Sequence, residues 1–203
     1  MTLSRTTIAL VGFVALGAAG LATYTILGPR DPASCAQSQV AGATIGGPFT
    51  LVDETGRTVT DRDIITKPSL VYFGYTFCPD VCPTDSARNA EALDLLQSRG
   101  IDAQALFISI DPERDTVEQV AEFTDLFHPD MIGLTGSSEQ VAAVSKTYKT
   151  YFAKQETGDE YYLMDHSTFT YLVLPDLGFV DFFRRDTTPE TIANTVACFA
   201  EQS

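Results

Sequence analysis

Two cysteines four positions apart carry the most evident chemistry in this sequence. They lie in FCPDVCP, residues 77–83, where Cys78 and Cys82 are each followed by a proline. Proline disfavours the α conformation of the residue before it, so neither thiol is expected inside a helix. Pro83 suits the first position of a helix, which makes Cys82 the predicted N-cap and places Cys78 on the preceding loop.

Thiols at the start of a helix are expected to ionise easily, because the free N–H groups there stabilise anions. Such a pair can form a disulfide, attack a disulfide of a substrate, or bind a soft metal ion. Two thiolates leave a structural zinc site short of its usual four ligands. Two thiolates with one imidazole suit copper better, since thiolates select Cu(I) and imidazole accommodates Cu(II).

The chain contains two histidines, so an imidazole ligand has two candidates. His128, in LFHPD, is interpreted as a surface residue that interacts with the last carbonyls of a helix. His166, in YYLMDHSTF, begins a predicted buried strand and is either a structural histidine or a ligand near the cysteine loop, where ligands of α/β proteins gather. Asp165 is a candidate to orient its ring, and Met164 is interpreted as core.

The elements that must position these residues alternate between strand and helix. The predicted order is hairpin, β, α, β, α, β, α, β, β, α, which implies a mixed sheet with helices on both faces. The apolar stretch SLVYFGY, residues 69–75, predicts a buried strand that leads into the cysteine motif. Further helix starts are marked by the pairs Asp115/Glu118, Ser137/Gln140 and Thr188/Pro189.

Residues 1–30 predict a membrane anchor. The 24 residues between Arg5 and Arg30 carry no charge, and at about 1.5 Å per residue such a helix crosses a hydrocarbon core of about 30 Å. A cleavable signal peptide is the alternative, because GAAGLA offers small residues. The charge bias keeps the N-terminus cytoplasmic and the rest outside. Residues 31–47, rich in small and polar residues, predict a flexible tether, and residues 48–203 the folded domain.

The charge and the cysteine count restrict the function further. The 203 residues carry a formal net charge of −14, which disfavours binding to nucleic acids because their phosphates would repel the chain. Four cysteines fit an oxidising compartment, where structural disulfides persist.

Four segments together resemble the Sco/SenC family of copper chaperones for cytochrome c oxidase assembly: FGYTFCPDVCP, SIDPERDT, MIGLTGSSEQV and YLMDHSTFTYLVLPDLGFVDFF. The match runs in order from about Phe49 to about Ile192. The resemblance implies a thioredoxin-like fold behind one transmembrane helix. It also implies that copper, as Cu(I) or Cu(II), is bound by Cys78, Cys82 and His166.

The resemblance further implies a location and a set of partners. The chain would be a single-pass protein of the bacterial inner membrane with its domain in the periplasm. It would receive copper from a donor protein and deliver it to the dinuclear copper site of cytochrome c oxidase subunit II. The alternative is a thiol-disulfide oxidoreductase that reduces the cysteines of that site through Cys78 and Cys82. Both functions require a thiol reductant for this pair.

The resemblance assigns no role to Cys35 and Cys198. Of the three pairings open to four cysteines, only 35–198 with 78–82 leaves the motif as a unit. We predict a disulfide between Cys35 and Cys198 that ties the tether to the last helix. The alternative is that Cys198 is simply buried within TVACFA.

Overall fold

The structure, a computed structural model, describes residues 34–38, 44–155 and 162–202. Nearly all of them belong to one compact unit, Cys35–Glu201. Within these described ranges no helix has the length and apolar character needed to cross a bilayer. The anchor predicted at residues 1–30 lies outside them, and the division of the chain at residues 30 and 47 stays a prediction.

The described chain contains the predicted strands and helices in the predicted order, together with a short helix at Asp61–Ile64 and two short strands at Phe152–Lys154 and Met164–His166 that were not predicted. The strands are β1 (Thr50–Asp53), β2 (Thr58–Thr60), β3 (Ser69–Gly74), β4 (Gln104–Ser109), β5 (Met131–Thr135), β6 (Phe152–Lys154), β7 (Met164–His166), β8 (Thr170–Leu174) and β9 (Gly178–Phe183). The helices are α1 (Asp61–Ile64), α2 (Val81–Ser98), α3 (Val117–Asp125), α4 (Ser138–Tyr148) and α5 (Pro189–Ala200).

Seven of these strands form one mixed sheet in the order β2-β1-β5-β4-β3-β8-β9. The central strands β3, β4 and β5 run parallel, whereas β1 and β8 join them antiparallel on either side. Strands β6 and β7 form a separate two-stranded ribbon. The parallel centre is buried on both faces, as the unbroken apolar pattern of β3 predicts.

Helices cover both faces of the sheet, as predicted. On one face Leu70 of β3 and Leu172 of β8 belong to an apolar cluster with Leu93 of α2 and Val196 of α5. On the other face the Phe73 ring of β3 packs against Tyr148 of α4, with 5.3 Å between ring centroids. The sheet therefore fixes where β3 ends and where the cysteine loop begins.

Several predicted helix starts and turns are confirmed. Ser137 caps α4 in a capping box with Gln140, and Thr188 caps α5 with proline at the first helical turn. The hairpin predicted near residue 53 joins β1 to β2, with Gly56 at φ 81° in its turn.

Two helix starts differ from the prediction. Helix α2 begins at Val81 with Asp80 as N-cap, so Cys82 lies in its first turn and is not the cap. A proline there removes no helical hydrogen bond, because the first four N–H groups of a helix have no partner within it. Helix α3 begins one residue later than predicted, with Thr116 and Gln119 forming the capping box. The expected cap, Asp115, instead accepts hydrogen bonds from Ser109 and Thr76.

Candidate metal centre

The loop between β3 and α2 brings the two motif thiols together. After β3 ends at Gly74, the Cys78 N–H donates to the Tyr75 carbonyl at 3.2 Å and closes a turn. The Cys82 N–H then donates to the Cys78 sulfur at 3.3 Å. Both cysteines are free thiols and both are buried, Cys82 completely. The helix start thus points one of its unpaired N–H groups at a sulfur atom.

Gly74 is required by the close approach of Cys82 to the end of β3. A Cβ atom at residue 74 would lie 3.0 Å from the Cys82 sulfur, 2.8 Å from the Phe107 ring and 2.9 Å from the Tyr72 ring. All three neighbours are buried, so none can move away cheaply. A glycine inside a strand often marks such a close approach.

His166 reaches the cysteines from the β6–β7 ribbon, where it pairs with Phe152. Its Nε2 lies 3.5 Å from the Cys82 sulfur, and its Nδ1 lies 2.9 Å from the Ser167 carbonyl oxygen. A carbonyl only accepts, so Nδ1 carries the proton and the lone pair of Nε2 faces the sulfur atoms. The rings of Tyr72 and Tyr75 stand edge-on to the imidazole, at 6.2 and 5.9 Å between centroids.

The two thiols differ in their affinity for a proton. A hydrogen bond from the Cys82 thiol is the largest cause that lowers the pKa of Cys78 far below its usual range, and the backbone N–H groups of Cys82 and Asp80 add to it. The same hydrogen bond, together with burial, raises the pKa of Cys82. The pair therefore shares one proton, with the thiolate on Cys78 and the thiol on Cys82.

A buried polar chain leads from this pair towards the surface. The Tyr72 hydroxyl donates to Asp85 Oδ2 at 3.0 Å, and Asp85 Oδ1 lies 3.5 Å from Arg88 and 3.7 Å from Arg185. Burial, followed by the negative charge of Asp85, raises the pKa of Tyr72, so its hydroxyl stays protonated. Burial also raises the pKa of Asp85, while Arg88 opposes that rise.

The donor set fits a soft metal ion. One ligand atom from each of Cys78, Cys82 and His166 lies within 4.8 Å of the others, and among the described residues this is the group found that could hold a metal. Ligands about 2.0–2.3 Å from one ion lie about 3.5–4.0 Å apart in a trigonal plane, close to the observed sulfur–nitrogen distance. Two sulfurs and one imidazole suit copper, whereas magnesium and calcium prefer oxygen ligands.

The structure brings three predicted site residues together and leaves another aside. His128 does not join the site and is not a surface residue: it is buried, its Nδ1 accepts from the Asp130 N–H at 3.0 Å, and its Nε2 lies 3.5 Å from Asp94. His128 lies beyond the end of α3, and its contact with Asp94 of α2 is a tertiary contact that sequence periodicity does not reveal.

The side chains of Asp165 and Met164, which precede His166 in β7, point to opposite faces of the strand. Successive side chains of a strand point to opposite faces, so Asp165 points away and accepts from Gln155 at 2.6 Å. It does not orient the imidazole; the Ser167 carbonyl does. Met164, two residues from His166, is buried in the core as predicted.

The predicted disulfide between Cys35 and Cys198 is confirmed, and it joins two cysteines whose sequence separation is 163. Three residues beyond Cys35, Ser38 donates to the buried carboxylate of Asp181, and the Gln37 N–H donates to the same carboxylate at 2.8 Å. The segment 35–38 is thus fixed to β9 and α5 at a second set of contacts.

The sequence analysis missed four residues around the motif: Tyr72, Gly74, Asp85 and Arg114. Tyr72 and Gly74 lie within the apolar run of β3, where they resemble ordinary strand residues. Only the glycine inside the strand offered a sign of close packing. Asp85 and Arg114 carry charges that a sequence assigns to the surface, but the tertiary fold buries Asp85 and leaves the Arg114 side chain only 18% exposed.

Comparison with known proteins agrees with this geometry. The SCO1/SenC family profile matches residues 37–201. Protein SenC of Rhodobacter capsulatus is 60% identical over 161 residues, which are 79% of this chain and 73% of that protein. The chain spans about half the length of the plant and human SCO1 homologues it matches, 46% and 54%.

Two solved structures share the fold and were determined with copper bound. ScoI of Arabidopsis thaliana superposes with a TM-score of 0.73 at 41% identity, covering 78% of this chain and 99% of its own. ScoI of Bradyrhizobium japonicum gives a TM-score of 0.70 at 41% identity, covering 76% and 99%.

Proposed function

Because this chain belongs to the SCO1/SenC family, we propose that it binds copper and acts as a metallochaperone in the assembly of cytochrome c oxidase. The observation that carries the proposal is the convergence of Cys78, Cys82 and His166, which lie far apart in the sequence. The copper-bound relatives support the choice of metal. The acceptor we propose is the dinuclear copper site of oxidase subunit II, and the supplier is a copper donor protein.

Each of the three residues has a separate task in holding copper. Cys78 offers a thiolate before metal arrives, since its pKa is lowered. Cys82 must lose its proton when the metal binds, since its pKa is raised. His166 offers Nε2, because the Ser167 carbonyl holds the proton on Nδ1. A soft ion with three ligands can accept a fourth ligand from an incoming partner before any ligand of this chain is released. This permits transfer by ligand exchange.

The membrane setting is part of the same proposal. The uncharged run between Arg5 and Arg30 supports an N-terminal anchor. We place the anchor in a bacterial inner membrane and the folded domain in the periplasm. A disulfide between Cys35 and Cys198 suits such an oxidising compartment.

Copper titration of the reduced protein tests this function. The wild type should bind one copper per chain with a thiolate-to-copper absorbance and a copper EPR signal. His166→Ala should lose this signal and most of the affinity. His128→Ala is the matched control, because it removes the other imidazole without touching the site. Stoichiometric binding that persists in His166→Ala would refute the proposed ligand set.

A second function, thiol-disulfide exchange, is favoured by the lowered pKa of Cys78 beside a second thiol. The Cys78 thiolate would attack a partner disulfide and form a mixed disulfide, releasing one partner thiolate. Cys82 would then attack the Cys78 sulfur, leaving a Cys78–Cys82 disulfide and a reduced partner. An external dithiol reductant would restore the pair. This reaction does not need His166, so His166→Ala should retain exchange while it loses copper.

A further inference from the structure

The turn DPERD, residues 111–115, lies against both parts of the chain that supply metal ligands. At one end, Asp115 accepts from the Thr76 hydroxyl at 2.6 Å and from its N–H at 3.1 Å. Thr76 lies two residues before Cys78 in the cysteine loop. At the other end, Asp111 accepts from the Tyr162 hydroxyl at 2.8 Å. Tyr162 lies four residues before His166.

The guanidinium group of Arg114 contacts both the cysteine loop and the segment that leads to His166. The Cζ atom lies 3.6 Å from the ring centroid of Tyr162, 4.9 Å from that of Phe77 and 5.8 Å from that of Tyr75. Tyr75 and Phe77 belong to the cysteine loop, and Tyr162 belongs to the segment that enters β7. Cation–π contacts within about 6 Å are attractive, more so when they are partly desolvated.

The orientation of Arg114 is fixed by ionic and hydrogen-bonding contacts. Its Nε lies 2.5 Å from Asp111 Oδ2, and one terminal nitrogen donates to the Tyr162 carbonyl at 3.0 Å. Asp111 is itself buried and donates its N–H to Ser109. A planar fork that stacks and donates at the same time is specific to arginine, and lysine cannot reproduce it.

A second cation completes the contacts of Tyr162. Lys154 Nζ lies 3.6 Å from the same ring centroid, and two cations at that distance must lie on opposite faces of the ring. Lys154 belongs to β6 and pairs with Met164 of β7, while its ammonium group lies 3.6 Å from Glu113 of the turn. The ribbon that carries His166 is thereby joined to the turn at several points.

We infer that Arg114 is a positioning residue for the metal centre, which sets the separation between the cysteine loop and the histidine ribbon without touching the metal. The expected effect on copper binding rests on the proposed function. The positioning itself rests only on contacts that are present in the protein without metal. Ligands that are already placed pay no ordering cost when the metal binds. Loss of such supporting contacts typically weakens metal binding by about 10–100-fold.

The first test compares Arg114→Ala with Arg114→Lys and Arg57→Ala. Arg57 is a matched control, because it too pairs with a buried aspartate, Asp53 at 2.8 Å, but in the β1–β2 hairpin. A strong Cu(I) chelator should remove copper about 10-fold faster or more from Arg114→Ala than from Arg57→Ala. Arg114→Lys should lie between the two. Equal rates in Arg114→Ala and Arg57→Ala would overturn the inference.

The second test needs no copper and separates this inference from the proposed function. Amide hydrogen exchange in the reduced apoprotein should accelerate in Arg114→Ala at the Cys78 turn and at Ser167, whose N–H donates to the Tyr151 carbonyl. The hairpin amides should be unchanged. If the wild type binds no copper but this local acceleration occurs, the proposed function fails and the coupling stands. Uniform acceleration over the whole domain would refute a positioning role.

A third pair of variants keeps the test decisive if Arg114→Ala does not fold. Tyr162→Phe keeps the stacked ring and loses only the hydroxyl bond to Asp111, so its copper release should stay within about threefold of wild type. Tyr162→Leu removes the ring and should release copper about 10-fold faster or more than wild type. Similar release from the two Tyr162 variants would contradict the role of stacking.

Discussion

The two pairs of cysteines in this molecule have opposite fates. Cys35 and Cys198 lie 163 residues apart and form a disulfide. Cys78 and Cys82 lie on one short loop and remain free thiols. Proximity along the chain therefore does not decide which sulfur atoms are joined.

The surroundings of each pair explain the difference. Cys35 belongs to the apolar cluster between the sheet, α2 and α5, and Cys198 packs against it. The motif pair lies at a helix start, with a backbone N–H on the Cys78 sulfur and an imidazole beside Cys82. An apolar setting disfavours a thiolate, whereas the N–H groups of a helix start stabilise one. One pair is suited to fastening the chain and the other to exchanging a ligand.

The largest effect should follow removal of a motif thiol. Cys78→Ser or Cys82→Ser takes away one of three metal ligands, so copper affinity should fall by more than about 100-fold, beyond the cost of losing a supporting contact. Competition with a Cu(I) chelator measures this. The double variant Cys35→Ser/Cys198→Ser should bind copper as the wild type does. Retained affinity in Cys78→Ser would remove the distinction between the two pairs.

Loss of the bridge should affect stability instead. Opening a loop of this length typically costs about 2–5 kcal/mol in unfolding free energy, since the unfolded chain gains freedom. Thermal unfolding of Cys35→Ser/Cys198→Ser should shift down by roughly 5–15 °C. The matched variant Cys78→Ser/Cys82→Ser should shift much less in the absence of metal. An unchanged melting temperature in the unbridged protein would show that the contacts of Asp181 suffice to fix the segment.

The two pairs should also differ in their response to pH. The apoprotein with free motif thiols and an intact Cys35–Cys198 disulfide should show one thiolate per chain near neutral pH, because the pKa of Cys78 is lowered and that of Cys82 is raised. Cys35 and Cys198 do not titrate as a disulfide. Ultraviolet absorbance of the thiolate, recorded against pH for wild type and Cys78→Ser, measures this. A thiolate that persists in Cys78→Ser near neutral pH would contradict the assignment.

The same shifts predict how stability varies with pH. Between the native pKa of Cys78 and that of an ordinary thiol, the unfolded chain binds a proton that the native protein does not, so unfolding free energy rises with pH. This contribution is lost as pH falls through the native pKa of Cys78. The raised pKa of Cys82 acts in the opposite sense at higher pH, where the native protein keeps a proton that the unfolded chain releases. Denaturant unfolding at a series of pH values checks both signs.

The smallest effect should come from Tyr72→Phe. This variant changes a neighbour of the motif pair and leaves the Cys35–Cys198 disulfide unchanged. Asp85 would lose the hydroxyl that donates to it at 3.0 Å but keep its arginine partners. Stability should fall by about 1–2 kcal/mol, and copper affinity by less than about tenfold. Chemical denaturation and chelator competition on one preparation give both values. A loss of affinity as large as that of Cys82→Ser would make Tyr72 part of the binding site itself.

Sequence reasoning reached the fold through features that are local in the chain. The apolar run of β3 and the caps at Ser137 and Thr188 each act within a few residues, so they are legible without coordinates. The short ribbon β6–β7 was not predicted, because three-residue strands carry no periodicity. It is nevertheless the element that presents His166.

The site was predictable in its ligands but not in their support. The two histidines and the motif left few choices for a third ligand, whereas the role of Arg114 depends on contacts with residues 48 positions away and with Phe77. Asp115 was predicted as a helix cap because Glu118 follows it at the spacing of a capping box. Tertiary contacts with Thr76 and Ser109 claimed its carboxylate instead.

The span of the Cys35–Cys198 bridge has a consequence for biosynthesis. Cys198 is the last of the four cysteines to leave the ribosome, after both motif thiols have already appeared. If oxidation followed the order of synthesis, it would join Cys35 to a motif thiol or join the motif thiols to each other, and neither product leaves the motif pair open to a metal. The native bridge must therefore close late, when the C-terminal helix docks, or be reached by thiol exchange. A chain truncated before this helix would lack Cys198. Cys35 would then be free to form a disulfide with Cys78 or Cys82, which the native bridge prevents.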